Sequence, residues 1–174
     1  MRRFLLILPV LALTGCAAYR WTSDVPEAAR FVAVPVFRNE GDVTGLGGEM
    51  ARQVLREFQR EGTMRIASVD DCALEVQGTV KRTHVRTVAH DRVTGLRNRG
   101  YRASATVEVT LVDHRAGKVI FSKRPYRVDT TLVGNDDELT GARDASGRLA
   151  EELARRVVGD VLEAARQRKE GTER

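Results

Sequence analysis

The sequence has little cysteine and few aromatic residues, and both shortages limit what the chain can do. Its 174 residues include 2 cysteines, and aromatic residues make up 5%. Two cysteines are too few for the disulfide framework that holds many small secreted domains together. So few aromatic side chains argue against a surface on which sugars or bases stack. The sequence therefore predicts a fold that depends on its own hydrophobic core.

Motifs of the common enzyme classes are also absent. The sequence contains neither Gly-x-Ser-x-Gly nor His-Glu-x-x-His. Its histidines are His84, His90 and His114, and none has a glutamate or cysteine at the spacing of metal ligands. The glycine-rich run 45–48 lacks the lysine of a phosphate loop, which indicates a flexible helix start. We predict a binding or assembly protein with no catalytic residues, metal or cofactor; a nucleophilic site built from distant residues stays an open alternative.

The first residues have the pattern of a bacterial export signal. Two arginines precede the apolar run 4–12, which is too short to span a bilayer as a helix. Leu13–Cys16 follows and resembles the lipobox of bacterial lipoproteins, in which cleavage before the cysteine follows acylation of its sulfur. We predict a lipoprotein signal peptide at residues 1–15 and lipidation at Cys16. The alternative is an ordinary signal peptide with a chance cysteine.

Lipidation determines the expected location of the mature chain. Each buried acyl methylene contributes about 0.8 kcal/mol, so more than one acyl chain anchors durably. In Gram-negative lipoproteins an aspartate after the cysteine favours the inner membrane, so Ala17 implies a periplasm-facing anchor in the cell outer membrane. Removing residues 1–15 from the 174 leaves 159, enough for one domain. We predict a lipidated tether at 16–29, one α/β domain at 30–168 and a disordered tail at 169–174.

Export also narrows the choice of partners and the role of the second cysteine. The chain carries 29 lysines and arginines against 24 acidic residues, a formal net charge of +5. This excess is too small to indicate nucleic acid, to which an exported protein has little access. Because acylation occupies Cys16, Cys72 has no disulfide partner and is predicted to be a small buried hydrophobe.

Hydrophobic periodicity switches between helix and strand along the mature chain. Residues 44–61 carry apolar side chains at four-residue steps, as an amphipathic helix does, and the segment from Asn135 to 168 repeats this pattern. Period-two alternation predicts strands, which lie at 30–37, 64–67, 73–90, 101–113 and 118–132. This order implies an α/β (α+β) two-layer sandwich. Its four- to five-stranded mixed sheet is covered on one face by two amphipathic helices.

The two long strands carry a one-sided cluster of positive charge. Beyond Lys81 the face that begins at Leu74 continues with Arg82 and His84, so the strand is predicted to outrun the core and project as a hairpin. A solvated charged hairpin that avoids edge aggregation is one interpretation. We favour an anionic partner, because clustered guanidinium groups suit phosphate. The basic side chains are Lys81, Arg82, His84, Arg86, His90, Arg92, Arg97, Arg99 and Arg102.

These elements, in this order, resemble the lipopolysaccharide-assembly lipoprotein family LptE. The resemblance is carried by Gly15–Tyr19 at the lipobox, the strands Val32–Asn39 and Ala73–Val80, the paired long strands and the final helix. In that family the domain inserts into the lumen of a large outer-membrane β-barrel, LptD, assists barrel assembly and contacts lipopolysaccharide. The resemblance implies the same partners here, an LptD-like barrel and lipopolysaccharide.

The resemblance also implies where lipopolysaccharide binds. Basic residues of the exposed hairpin contact it in the family, and by position these are Arg92, Arg97 and Arg99 here. A different function stays open, because lipoprotein activators of peptidoglycan synthases and curli-secretion lipoproteins share a similar opening of strand, helix and strand. An activator needs a longer tether to cross the periplasm than the span from Cys16 to Phe31 provides, which favours a partner at the membrane.

Replacement of Cys16 tests the predicted anchor. Cys16→Ser leaves no thiol to acylate, so we expect no palmitate incorporation and loss of the protein from the membrane fraction. Metabolic palmitate labelling followed by membrane fractionation measures both. Cys72→Ser is the control and keeps label and location. A labelled Cys16→Ser variant, or an unlabelled wild-type protein free of membranes, would contradict the assignment.

Overall fold

The computed structural model of this protein describes residues 25–89, 99–134 and 138–172. After a 3-10 turn at Glu27–Ala29, this part of the chain contains six strands and two longer helices. The strands are β1 (Phe31–Ala33), β2 (Arg38–Asn39), β3 (Arg65–Ile66), β4 (Leu74–Ala89), β5 (Arg99–Asp113) and β6 (Lys118–Gly134). The helices are α1 (Leu46–Glu61) and α2 (Glu138–Thr172).

The strands form one mixed sheet in the order β3-β1-β4-β5-β6, with β2 also beside β4. β1 is parallel to β3 and β4, and β2 is parallel to β4. β4, β5 and β6 are successive antiparallel neighbours. The predicted α/β sandwich with a mixed sheet is therefore confirmed. The sixth strand arises because only Phe31–Ala33 of the predicted strand 30–37 forms β1, and a separate short strand, β2, follows directly after that segment.

Both helices contribute to one core with the sheet and pack against each other. α1 contacts β2, β3 and β4, whereas α2 contacts β5 and β6. The apolar side chains at four-residue steps along α1 and at alternate positions along β5 are buried, as the two periods predicted. The core includes Leu46, Met50, Val54 and Phe58 of α1, Ala103, Ala105, Val107, Val109 and Leu111 of β5, and Leu149, Leu153, Val157 and Val161 of α2. The opposite face of the sheet remains without a helical layer in the described residues.

Phe37 fills the space between the sheet and α1. It is buried, and it follows Pro35, which lacks an N–H group and lies where the line of β1 and β2 is interrupted. A Cβ atom at Gly78 of β4 would lie 2.3 Å from the Phe37 ring. A Cβ atom at Gly47 of α1 would lie 2.3 Å from the Phe37 carbonyl oxygen. The two glycines therefore leave room for this aromatic side chain and for the close approach of α1.

A β-bulge at Lys81 reverses the alternation of β4. Val80 lies opposite Val107, but Arg82 lies opposite Thr106 and Thr83 opposite Ala105, so Lys81 is the extra residue. Thr83 is consequently buried on the helix side, and Arg82 is exposed on the other side. The prediction that Arg82 and His84 continue the face of Leu74 was wrong, because a one-residue shift moves every later side chain to the opposite face.

The predicted projecting hairpin is part of a three-stranded sheet. β6 pairs with β5 from Lys118 opposite Asp113 to Gly134 opposite Arg99. The prediction that two strands outrun the core was therefore wrong, because β6 continues beside them and Ala103 is still buried. Pro125 lies in register opposite Glu108, and the irregular pairings of β6 precede it. The irregular part of β6 thus lies near the start of the strand and not at the proline.

α2 is longer than the sequence predicted. It runs for 35 residues and ends at Thr172. The predicted disordered tail, 169–174, was therefore wrong for residues 169–172, which are helical. No proline follows Pro125 in the sequence, so the strongest helix breaker is absent from this segment. Neither helix in the described residues combines the length and apolar composition needed to cross a bilayer.

Gly78→Ala tests the packing of Phe37. The added methyl group would overlap the buried ring, so Phe37 must shift, and we expect a loss of about 1–3 kcal/mol in the free energy of unfolding. Equilibrium urea denaturation measures this loss.

Gly48→Ala is the matched control for that substitution. A Cβ atom at Gly48 meets nothing within 4 Å, and alanine is the better helix former, so no loss is expected. Equal stability of the Gly78→Ala variant and the wild type would show that the ring does not depend on the missing Cβ.

Candidate anion-binding face

Four arginines lie on the sheet face opposite the helices. Arg82 and Arg86 belong to β4, Arg102 to β5 and Arg127 to β6, and all four are exposed. These four arginines are termed the basic face. Their neighbours along the strands, including Thr83, Ala103 and Val128, are buried on the helix side. The bulge in β4 and the period-two alternation of β5 and β6 therefore bring them to one surface.

The strand register sets the spacing of the basic face. Arg86 lies directly opposite Arg102 across the β4–β5 pair. Four residues further along β5, Thr106 lies between Arg82 on β4 and Arg127 on β6. The row of residues between the Arg86–Arg102 pair and the row of Thr106 contains His84, Ser104 and Asp129. The basic face thus consists of two arginine pairs with a polar row between them.

Arginines of the basic face differ in their partners from most described arginines of the helices. On α1, Arg52 and Arg56 both contact Glu49. On α2, Arg155 and Arg156 both contact Glu152. Among the described residues, no side chain of the basic face forms an ion pair or a hydrogen bond. Their guanidinium donors are therefore available to a ligand.

A solvent-open depression of about 450 Å³ lies on this surface. It is lined by His84, Arg86, Arg102, Ser104, Arg127 and Asp129. Three guanidinium groups against one carboxylate give the depression an excess of positive charge, and such concave surfaces concentrate anions. The arrangement can bind anionic groups and hydroxyl groups. Ser104 lies opposite His84, but no hydrogen bond joins these two side chains.

Of the predicted site residues, only Arg99 belongs to the described part of the chain. Arg92 and Arg97 lie outside the described residues, as does Cys16. Arg99 is the first residue of β5, and its backbone lies opposite Gly134 of β6. Arg92, Arg97 and Arg99 therefore stay predictions.

Sequence reasoning missed one member of the basic face and misplaced others. Arg127 follows in a later strand, and only the pairing of β5 with β6 brings it beside the depression. Arg82 was assigned to the inward face because the period-two pattern was continued through the bulge. The change from valine at 76 and 80 to threonine at 83 was a sequence signal for that shift, although too short to identify it.

A second polar cluster lies where β4 begins. His114 Nε2 is 2.7 Å from Oε2 of Glu75, whose side chain is buried. Nearby Cys72 is also buried, as predicted, and its Sγ lies 3.2 Å from the Val69 carbonyl oxygen. Burial raises the pKa of the Cys72 thiol, with Glu75 adding to the effect, so the thiol stays neutral. No group of side chains among the described residues has the composition of a metal site.

α2 is joined to β6 by a polar contact that helps to position the basic face. Asp160 accepts a hydrogen bond from the Tyr126 hydroxyl at 2.6 Å and pairs with Arg124 at 2.9 Å. Burial and then Asp160 raise the pKa of Tyr126, so its hydroxyl stays a donor. One turn earlier, Arg156 donates to the carbonyl of Arg127 at 2.8 Å. These contacts fix β6, and with it the backbone of Arg127, against the helix layer.

The model of a lipopolysaccharide-assembly family, LptE, matches residues 30–162, which is most of the chain. The chain belongs to the LptE family. The resemblance seen in the order of the elements is thereby confirmed, whereas the lipobox precedes the matched residues and stays a prediction. No curated protein matches the chain.

Several solved structures are similar to this LptE family member. The protein XCC0632 from Xanthomonas campestris is 10% identical, with 83% of this chain and 92% of that chain covered at a TM-score of 0.54. The protein CT253 from Chlamydia trachomatis is 16% identical, with 78% and 96% covered at 0.50. A minor lipoprotein from Acinetobacter baumannii is 12% identical, with 79% and 93% covered at 0.43. At such low identity the first two show a shared fold.

Proposed function

We propose that this protein is an outer-membrane lipoprotein that works in complex with an LptD-like β-barrel. It acts in the assembly and transport of lipopolysaccharide to the outer leaflet and binds the anionic groups of that lipid. It acts by binding rather than by catalysis. The observation that carries this proposal is the basic face on the uncovered side of the sheet, in a chain of the LptE family.

The positions of the two ends of the sheet support this role. The predicted tether leads into β1, which lies beside the first residues of β4. β4 is 16 residues long, so its far end lies about 50 Å away at 3.3 Å per residue. The segment 90–98, with Arg92 and Arg97, is attached there. A domain anchored by Cys16 in the periplasmic leaflet would then extend basic groups well beyond that leaflet, because the apolar core of the whole bilayer is about 30 Å thick.

The surface of the sheet also suits the interior of a barrel. Wide outer-membrane barrels have a polar, water-filled lumen. The outer face of β4, β5 and β6 carries arginine, histidine, serine, threonine and aspartate, whereas most apolar residues of these strands are buried beneath the two helices. A plug of this kind contacts both the polar wall and an anionic lipid that passes it.

Arginines give a physical means of handling this lipid. Lipid A phosphates in aggregates are bridged by divalent cations. A guanidinium group offers a planar fork of donors that fits a phosphate and can replace such a cation. Arg92, Arg97 and Arg99 are the proposed phosphate ligands of the far end. Binding at these residues would keep the lipid dispersed while it is transferred.

Charge reversal of the three arginines tests this site. Arg92→Glu, Arg97→Glu and Arg99→Glu together are expected to abolish lipopolysaccharide binding at this site, because carboxylates repel phosphate, and to leave the fold intact. Co-precipitation with lipopolysaccharide measures binding, and circular dichroism measures folding. Wild-type binding by the triple variant would remove the assignment.

Isolation of the lipidated protein from outer membranes tests the partner. We expect a large β-barrel to co-purify in a defined ratio. The Cys16→Ser variant is the control and should recover less barrel, because it is no longer concentrated at the membrane. A peptidoglycan synthase in place of the barrel would establish the activator function instead, and isolation without any partner would remove the complex from the proposal.

A further inference from the structure

The two arginine pairs of the basic face are separated by a defined distance. The pair Arg86 and Arg102 lies on adjacent strands, about 5 Å apart between Cα atoms. The pair Arg82 and Arg127 flanks Thr106, so two strand spacings, about 10 Å, lie between them. Four residues of β5 separate Arg102 from Thr106, which places the two pairs about 13 Å apart.

The row between the pairs has different chemistry. His84, Ser104 and Asp129 lie side by side on the three strands. Together they offer an imidazole, a hydroxyl and a carboxylate, which donate and accept hydrogen bonds. This row suits the hydroxyl groups of a sugar better than a third anionic group.

The like-charged pair is a cost to the folded sheet without a ligand. Like charges directly opposite each other on neighbouring strands are destabilising. Among the described residues, Asp129 is the one acid that lies among these arginines. The next acid on this face, Glu108, lies toward Lys81, and Lys81 is already paired with Glu40. A face that merely prevented aggregation would mix both signs of charge, as α1 and α2 do.

We propose that the basic face binds a glycolipid headgroup that carries two phosphates, one held by Arg86 and Arg102 and the other by Arg82 and Arg127. The sugar between the phosphates lies on His84, Ser104 and Asp129. This inference rests on the proposed function and adds a second site to it, on the sheet itself and apart from the 90–99 segment.

The chemistry of the two pairs defines the ligand. Each guanidinium group presents a fork of donors to phosphate oxygens, and two forks per phosphate satisfy several of them. A disaccharide with a phosphate at each end has a length similar to the separation of the pairs. A ligand with one phosphate occupies one pair and leaves the other pair without a counter-charge. The face should therefore prefer the diphosphorylated form.

Binding by the full-length protein in detergent tests the preference. The probes are diphosphoryl lipid A, its monophosphoryl derivative and inorganic phosphate. For the wild type we expect about tenfold tighter binding of the diphosphoryl than of the monophosphoryl form, and weak binding of inorganic phosphate. In the variant R86Q/R102Q the preference falls to about one, because a single pair remains.

Two further variants make the result specific. R82Q/R127Q removes the other pair and should abolish the same preference, which keeps the test valid if one variant folds poorly. R52Q/R56Q removes equal charge from α1, where both arginines contact Glu49, and should keep the tenfold preference. Thermal denaturation reports the fold, and R86Q/R102Q should not lower Tm, because its substitutions remove a like-charged pair.

The outcomes separate this site from the proposed function. If the wild type prefers the diphosphoryl form and both face variants keep that preference, the face is not the site, although lipopolysaccharide binding stands. If the variants lose the barrel on purification but keep lipid A binding, the face contacts an acidic protein surface and the inference is wrong. If the wild type binds no form of lipid A, both the inference and the lipid-binding part of the proposed function fail.

Discussion

The extra residue in β4 is the constraint on which the candidate site depends. Lys81 is placed where β2 ends, since the Glu40 N–H donates to the Val80 carbonyl and the Glu40 carboxylate pairs with Lys81. That hydrogen bond to Lys81 lowers the pKa of Glu40 and keeps it ionised. Beyond the bulge the strand presents Thr83 to the helices and Arg82 to solvent. Without the bulge, the arginines of β4 would face the core.

The hydrophobic core between the helices and the sheet explains why the opposite face of the sheet can carry charge. In the described part of the chain, the large hydrophobic side chains of the core lie between the sheet and the helices. Small residues such as Ala103, Ala105 and Ala154 let α2 approach the sheet closely. Asp160 and Arg156 then fix α2 to β6 at the edge. Because the core is complete on one side, substitutions on the other side do not disturb packing. Binding and folding are therefore carried by opposite faces of the same strands.

The distribution of charge follows the same division. Several arginines of α1 and α2 pair with glutamates three or four residues away, where helix geometry brings the two side chains together. A strand has no such local pairing, so Arg86 and Arg102 are neighbours only through the sheet. No described side chain forms an ion pair with these two arginines. Their charge therefore makes this face of the sheet a surface that attracts anions.

The sequence by itself determined the elements and the family. Apolar steps of four in α1 and of two in β5 predicted helix, strand and buried face, because burial imposes those periods. The order of elements and the lipobox indicated the LptE family. Only the tertiary structure decided which charges meet. A bulge adds one residue to a strand and has no characteristic amino-acid composition. Arg127 lies near Arg102 only because β5 pairs with β6. The hydrophobic period of one strand reveals neither the register shift at a bulge nor the residue opposite on the next strand, because the partner strand sets both.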